Sequence, residues 1–105
     1  MNTLENLSLK QLQYFAAVAE YGSFRQAAFR LNITQPTLSN QVGVMEKALN
    51  IQLFERTRKG INTTPQGREL LLSARRVLEE AQGFTTQAAL LSGGGMGTYL
   101  SLIHI

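Results

Sequence analysis

Residues 23–49, SFRQAAFRLNITQPTLSNQVGVMEKAL, contain two helical patterns with a short connection between them. Apolar residues recur at helical spacing in both patterns: Phe24, Ala27, Ala28 and Leu31 in the first, and Leu38, Val42, Met45 and Leu49 in the second. Ser23 starts a capping-box pattern, and Thr34 is a candidate N-cap with Pro36 in the first turn that follows. Asn32 tolerates the left-handed conformation of a tight turn. Two short helices joined so closely must cross steeply, which predicts a helix-turn-helix.

The segments on either side complete the predicted domain. Residues 8–21 form an amphipathic helix that begins with a capping box, and Gly22 supplies the left-handed residue that ends it. After the second helix of the pair, residues 53–56 and 61–63 favour two short strands joined by a turn containing Lys59 and Gly60. We therefore expect a mainly α fold, a winged helix-turn-helix made of three helices plus a small β-hairpin wing.

A long helix is predicted after the wing, with Thr64 as its cap and Pro65 at its first position. Its apolar residues follow steps of 4 and 3 in alternation: Leu70, Ala74, Val77, Ala81, Phe84, Ala88 and Leu91. Such a stripe can pack on the helix's own domain or on a second copy of the chain. The heptad length, and the separate core of the preceding helices, favour a dimerisation linker helix.

Composition excludes several classes of function. The 105 residues suffice for one domain, or one domain with an appendage, and they include no cysteine for a disulfide, a thiolate zinc site or a nucleophile. The N-terminal residues lack the pattern of a signal peptide, and no apolar run reaches the ~18 residues of a membrane span. We expect a cytoplasmic protein without a membrane partner.

Candidates for catalysis or cofactor binding are also missing from the sequence. His104 is the only histidine, aspartate is absent, and the glycine-rich run at 93–97 lacks the lysine and hydroxyl residue of a phosphate-binding loop. We therefore predict no catalytic residues, no metal site, no cofactor and no enzymatic activity.

Binding to DNA is the chemistry that the second helix of the pair favours. Its exposed start carries small and amide side chains: Gln35, Pro36, Thr37, Ser39, Asn40 and Gln41. An amide side chain can pair in two places with adenine in the major groove, and a helix N-terminus favours a phosphate. Phosphate contacts dominate the affinity of proteins for DNA, and the wing cations Arg56, Arg58 and Lys59 can supply them. Taken singly, a polar helix start is common and a basic turn is usually solvated; together, the features favour DNA.

The segments YFAAVAEYGSFRQAAFRLNITQPTLSNQV and LFERTRKGINTTPQG, with the spacing between them, resemble the N-terminal domain of LysR-type transcriptional regulators. The similarity covers roughly residues 4–91. It implies a winged helix-turn-helix whose recognition helix enters the major groove, whose wing reaches the backbone or the minor groove, and whose linker helix pairs two subunits.

The resemblance also implies roles for individual positions. Gln35, Pro36 and Ser39 align with contacts to bases or adjacent phosphates, and Thr34 and Thr37 with phosphate contacts. Arg56 is the arginine of the LFER motif, Lys59 is at the wing tip, and Arg25 and Arg30 are further phosphate candidates. Two positions depart from the family. Asn40 stands where a longer side chain is common, and Gly43 stands where a longer polar residue is usual.

The predicted organisation is a DNA-binding domain at 1–64, a linker helix at 65–91, and a glycine-rich hinge with the first strand of a missing effector-binding domain at 92–105. We expect a sequence-specific regulator that binds a partly palindromic site in double-stranded DNA as a homodimer, with a tetramer for the full-length protein. A small-molecule effector is expected only where the missing domain is present. The alternative is a helical protein–protein interaction module that dimerises through residues 65–91.

Overall fold

The computed structural model describes residues 7–93, and that range holds four helices and one two-stranded hairpin. The elements are α1 (Leu9–Tyr21), α2 (Phe24–Leu31), α3 (Gln35–Leu49), β1 (Phe54–Thr57), β2 (Gly60–Thr63) and α4 (Pro65–Ser92). This order confirms the winged helix-turn-helix fold followed by a long helix. The first strand begins one residue later than predicted, at Phe54, and the second begins one residue earlier, at Gly60. The predicted terminal strand lies outside the described residues.

Short-range capping explains where the helices begin and end. The Ser8 hydroxyl accepts the Gln11 N–H at 3.2 Å, and the Gln11 side chain accepts the Ser8 N–H at 3.1 Å, which completes the predicted capping box. At Ser23 only the bond from the Gln26 N–H to the hydroxyl is formed, at 3.0 Å. Helix α2 ends at Leu31 and is followed by its C-cap Asn32, whose φ of 60° is the left-handed conformation expected of the turn.

Helices α1 to α3 enclose a core that also receives the base of the wing. The largest fully buried side chains are Phe15, Leu38, Met45, Leu53 and Val18. Phe54 begins β1, and its ring lies edge-on to Phe15 at 5.6 Å and to Phe24 at 5.9 Å between centroids. Edge-to-face aromatic pairs at these distances add to the stabilisation from burial. The hairpin is therefore anchored to the helices and does not depend on its short ladder alone.

The start of α4 is fastened to the segment that precedes the wing. The buried Thr64 hydroxyl donates to the Gln52 carbonyl at 2.6 Å and accepts the Gly67 N–H at 2.9 Å, while the Thr64 N–H donates to the Leu53 carbonyl at 2.9 Å. A Cβ at Gly67 would collide with the Leu53 carbonyl oxygen. The chain thus enters α4 by way of a joint that needs both the threonine and the glycine.

Candidate nucleic-acid interface

Helix α3 begins with a threonine pair whose hydroxyls are linked. The Thr34 hydroxyl accepts the Thr37 N–H at 3.2 Å and donates to the Thr37 hydroxyl oxygen at 2.8 Å. The proton of the Thr37 hydroxyl remains available to an acceptor such as a phosphate oxygen. Both residues are exposed, so the cap leaves donors at the helix end accessible from solvent.

The rest of the helix start presents a polar surface opposite the core. Gln35, Pro36 and Asn40 are exposed and Ser39 is half-buried, as predicted from the apolar spacing. Gln41 differs from the prediction, because its Oε1 accepts the Gln11 side-chain amide at 3.1 Å. This bond holds Gln41 against α1, so it belongs to the helix packing and not to the exposed face.

The wing carries its cations on a tight turn. Thr57 pairs with Gly60, and the Thr57 hydroxyl accepts the Lys59 N–H and donates to the Gly60 carbonyl, each at 3.2 Å. Arg58 and Lys59 occupy the turn and are exposed. Their charges are therefore free to approach a polyanion.

Two arginines of the predicted site lie over aromatic rings. The Arg56 guanidinium is 4.9 Å from the centroid of Phe24, and the Arg30 guanidinium is 5.5 Å from that of Tyr21. Cation–π contacts restrict these long side chains while the charged groups remain exposed. Arg25 on α2 is also exposed. The structure thus groups cations on α2 and the wing in the same helical unit as α3.

Glu46 is a positioning residue that the sequence did not reveal. One carboxylate oxygen accepts the Leu53 N–H at 2.7 Å and the Phe54 N–H at 3.2 Å. The bonds tie the last turn of α3 to the start of β1, so they set where the wing lies relative to α3. A single glutamate on a helix gives no sequence signal for such contacts, which depend on the tertiary fold.

The heptad stripe of α4 divides into two parts. Leu70 is half-buried against the core and Ala74 is 4% exposed, and the compact helical unit extends through Arg75. Farther along, Phe84 is 74% exposed and Leu91 is 79% exposed. The described chain therefore covers the beginning of the stripe with its own core and leaves large apolar side chains uncovered toward the end.

Metal-binding and membrane-spanning features are not found in the part of the chain that the structure describes. Within residues 7–93, no cluster of three or more His, Cys, Asp or Glu side chains is arranged to hold a metal ion. In the same range, none of the helices combines the length and apolar character that crossing a bilayer requires.

A polar helix start beside a basic hairpin, on this order of elements, defines the winged helix-turn-helix class of DNA-binding domains. A family model described as bacterial regulatory helix-turn-helix protein, lysR family, matches residues 9–68. The chain belongs to that family, which confirms the resemblance found in the sequence.

Individual relatives and solved structures agree with this assignment. The chain is 38% identical over 91 residues to the HTH-type transcriptional regulator TfdS of Cupriavidus pinatubonensis, in a match that covers 87% of this chain and 31% of the relative. The crystal structure of the BenM_DBD/catB site 1 DNA complex has a TM-score of 0.81 and 36% identity, covering 84% of this chain and 99% of that chain. Vibrio fischeri DarR in complex with DNA has a TM-score of 0.79 and 31% identity, covering 84% and 30%. The chain thus spans about a third of the length of TfdS.

Proposed function

We propose that this chain is the DNA-binding portion of a sequence-specific transcriptional regulator, with α3 in the major groove and the wing on the backbone or in the minor groove. The observation that carries the proposal is the exposed polar start of α3 in the same unit as a basic hairpin. The similarity to structures whose names describe DNA complexes supports it. The relatives' names describe regulators, and we infer that the chain is not an enzyme.

The residues of the interface divide into two roles. We assign base contacts to the side chains at the start of α3 that lie opposite the core, namely Gln35, Pro36, Ser39 and Asn40. Phosphate contacts are assigned to the hydroxyl pair and to the cations, namely Thr34, Thr37, Arg30, Arg56, Arg58 and Lys59. Arg56 is already held on an aromatic ring, so less side-chain freedom is lost when it meets a phosphate.

We propose dimerisation through α4, and the uncovered apolar stripe of that helix supports it. The linker at 65–91 joins two copies of the domain at 1–64, and Val77, Phe84 and Leu91 supply the contacts that a single chain leaves exposed. A two-fold dimer reads a partly palindromic site, with recognition helices ~34 Å apart or at multiples of this spacing. In a longer protein, residues 92–105 lead into an effector-binding domain, small-molecule control belongs to that domain, and tetramers form. The cytoplasm is the expected location.

A selection of bound duplexes from a random DNA pool tests the proposed function. A common half-site with fixed spacing is expected, and recovery of random sequences only would refute sequence-specific binding.

On the selected site, Gln35→Ala should reduce the magnitude of the binding free energy by ~1–3 kcal/mol and relax the base preference at one position. Gln13→Ala is the matched control, because Gln13 is an exposed glutamine on α1.

The cations are tested by the salt dependence of binding. Lys59→Ala should weaken binding to all sequences and lower the slope of log affinity against log salt by about 1. An unchanged slope would exclude a phosphate contact at Lys59.

The alternative function is a protein-binding helix without DNA affinity. It predicts no salt-sensitive binding to any duplex, and family membership does not favour it.

A further inference from the structure

Neither the backbone conformation nor the packing of α3 requires a glycine at Gly43. It lies in the interior of α3, where glycine is less favourable than every residue except proline. Its φ is not among the positive values that would require glycine. A Cβ placed there meets no atom within 4 Å, so packing does not require glycine either. Neither the backbone conformation nor contacts within residues 7–93 explain this residue.

Gly43 lies on the exposed face of α3, where the absence of a side chain leaves the helix backbone accessible. Pro36, Asn40, Gly43 and Lys47 follow one another in steps of 4, 3 and 4, which places them along one stripe of α3. That stripe lies opposite the buried residues of the same helix. The glycine is therefore at the middle of the face that would enter the major groove, and it lets a base edge approach the helix backbone there.

Val44 makes the neighbouring surface apolar. It is 43% exposed, although the adjoining positions on this face are mostly polar. A surface depression at this point is lined by Pro36, Ser39, Asn40, Gly43, Val44 and Lys47. The major groove offers one apolar group, the C5-methyl of thymine, whereas the other base edges present donors and acceptors. The apolar side chains of Val44 and Pro36 at this open depression are suited to contact with that methyl group.

We propose that Gly43 and Val44 form a notch that receives the C5-methyl group of a thymine and so determine one position of the DNA site. The assignment rests on the proposed function. It adds a base-reading element about two turns beyond the first residue of α3. Lys47 lines the same depression, and Arg56 lines an adjoining depression that Gly43 also borders.

Replacement of thymine by uracil tests the notch, because uracil differs from thymine by this methyl alone. The 105-residue chain is first used to select a site, and each thymine of that duplex is then replaced singly by uracil. One replacement per half-site should weaken wild-type binding about fourfold, the factor that corresponds to burial of one methyl group. Gly43→Gln fills the notch and should abolish this penalty, and Val44→Ala should reduce it.

Gly83→Gln is the matched control, because Gly83 is also in a helix interior with no atom within 4 Å of an added Cβ. It should keep the wild-type response to uracil. Equal penalties for wild type and Gly43→Gln would overturn the notch while leaving specific DNA binding intact. Should Gly43→Gln lose its helical circular dichroism, an unchanged penalty in Val44→Ala would overturn it instead. A wild-type chain without a preferred site would overturn the proposed function, and the notch with it.

Discussion

Gly67→Ala tests the joint between the wing and α4. Gly67 is buried in the first turn of the helix, where the Leu53 carbonyl oxygen, the Thr63 side chain and the Thr64 hydroxyl surround the position of an added Cβ. The carbonyl is backbone and cannot rotate away as a flexible side chain would. The same carbonyl accepts the Thr64 N–H at 2.9 Å, so moving it strains the bond that starts α4.

The expected cost combines three effects. Overpacking of a well-packed site costs typically ~1–3 kcal/mol. Weakening the bond at the Leu53 carbonyl adds up to about 1 kcal/mol. Alanine regains at most ~1 kcal/mol relative to glycine through helix propensity, and less in a first turn. The net expectation is a loss of about 2 kcal/mol in the free energy of unfolding.

Urea unfolding followed by circular dichroism measures this loss. All variants are compared at one protomer concentration, because the proposed dimerisation would shift the apparent stability. Gly83→Ala is the control. It gains the same helix propensity without meeting an atom within 4 Å, so it should be more stable than wild type by ~0.5–1 kcal/mol. If Gly67→Ala proves as stable as Gly83→Ala, the inference that the Leu53 carbonyl excludes a Cβ at Gly67 is refuted.

Three further contacts are tested by substitution of Thr64, Glu46 and Phe84. Thr64→Val removes the buried hydroxyl that caps the Gly67 N–H and should lower stability in urea by roughly 1–3 kcal/mol, whereas Thr64→Ser should keep most of it. Glu46→Ala should lower the free energy of unfolding by roughly 1.5–3 kcal/mol and weaken binding to all duplexes in fluorescence anisotropy. Glu46→Gln should have an intermediate effect. If Glu46→Ala and Glu46→Gln lower stability equally, the carboxylate bonds are excluded. Phe84→Glu should shift sedimentation equilibrium toward monomer, whereas Gln82→Glu, off the stripe, should not; a dimeric Phe84→Glu would contradict the interface.

Features with a local cause could be predicted from the sequence. The capping box at Ser8, the left-handed turns at Gly22 and Asn32, and the start of α4 at Pro65 each depend on residues within one or two turns. The polar face of α3 was also predictable, because helical spacing alone separates it from the buried side. These features suffice to define the class of fold.

Contacts between distant residues could not be predicted in the same way. Gln41 has a side chain that could read a base, but its amide oxygen accepts a hydrogen bond from Gln11, thirty positions earlier. Glu46 resembles a surface charge in the sequence, yet it holds the start of β1. In both cases the partner is brought close only by the packing of helices and wing, and no spacing rule within one helix contains that information.

The stripe on α4 shows the limit of periodicity more sharply. A regular apolar repeat predicts that one face of the helix is buried, but it does not identify the surface that covers this face. Ala74 is covered by the chain's own core, and Phe84 on the same repeat is 74% exposed. A helix that only packed on its own domain would not need a large aromatic residue at Phe84. We propose that the exposed part of the repeat packs on a partner, and that this partner is a second copy of the same stripe, because its spacing matches.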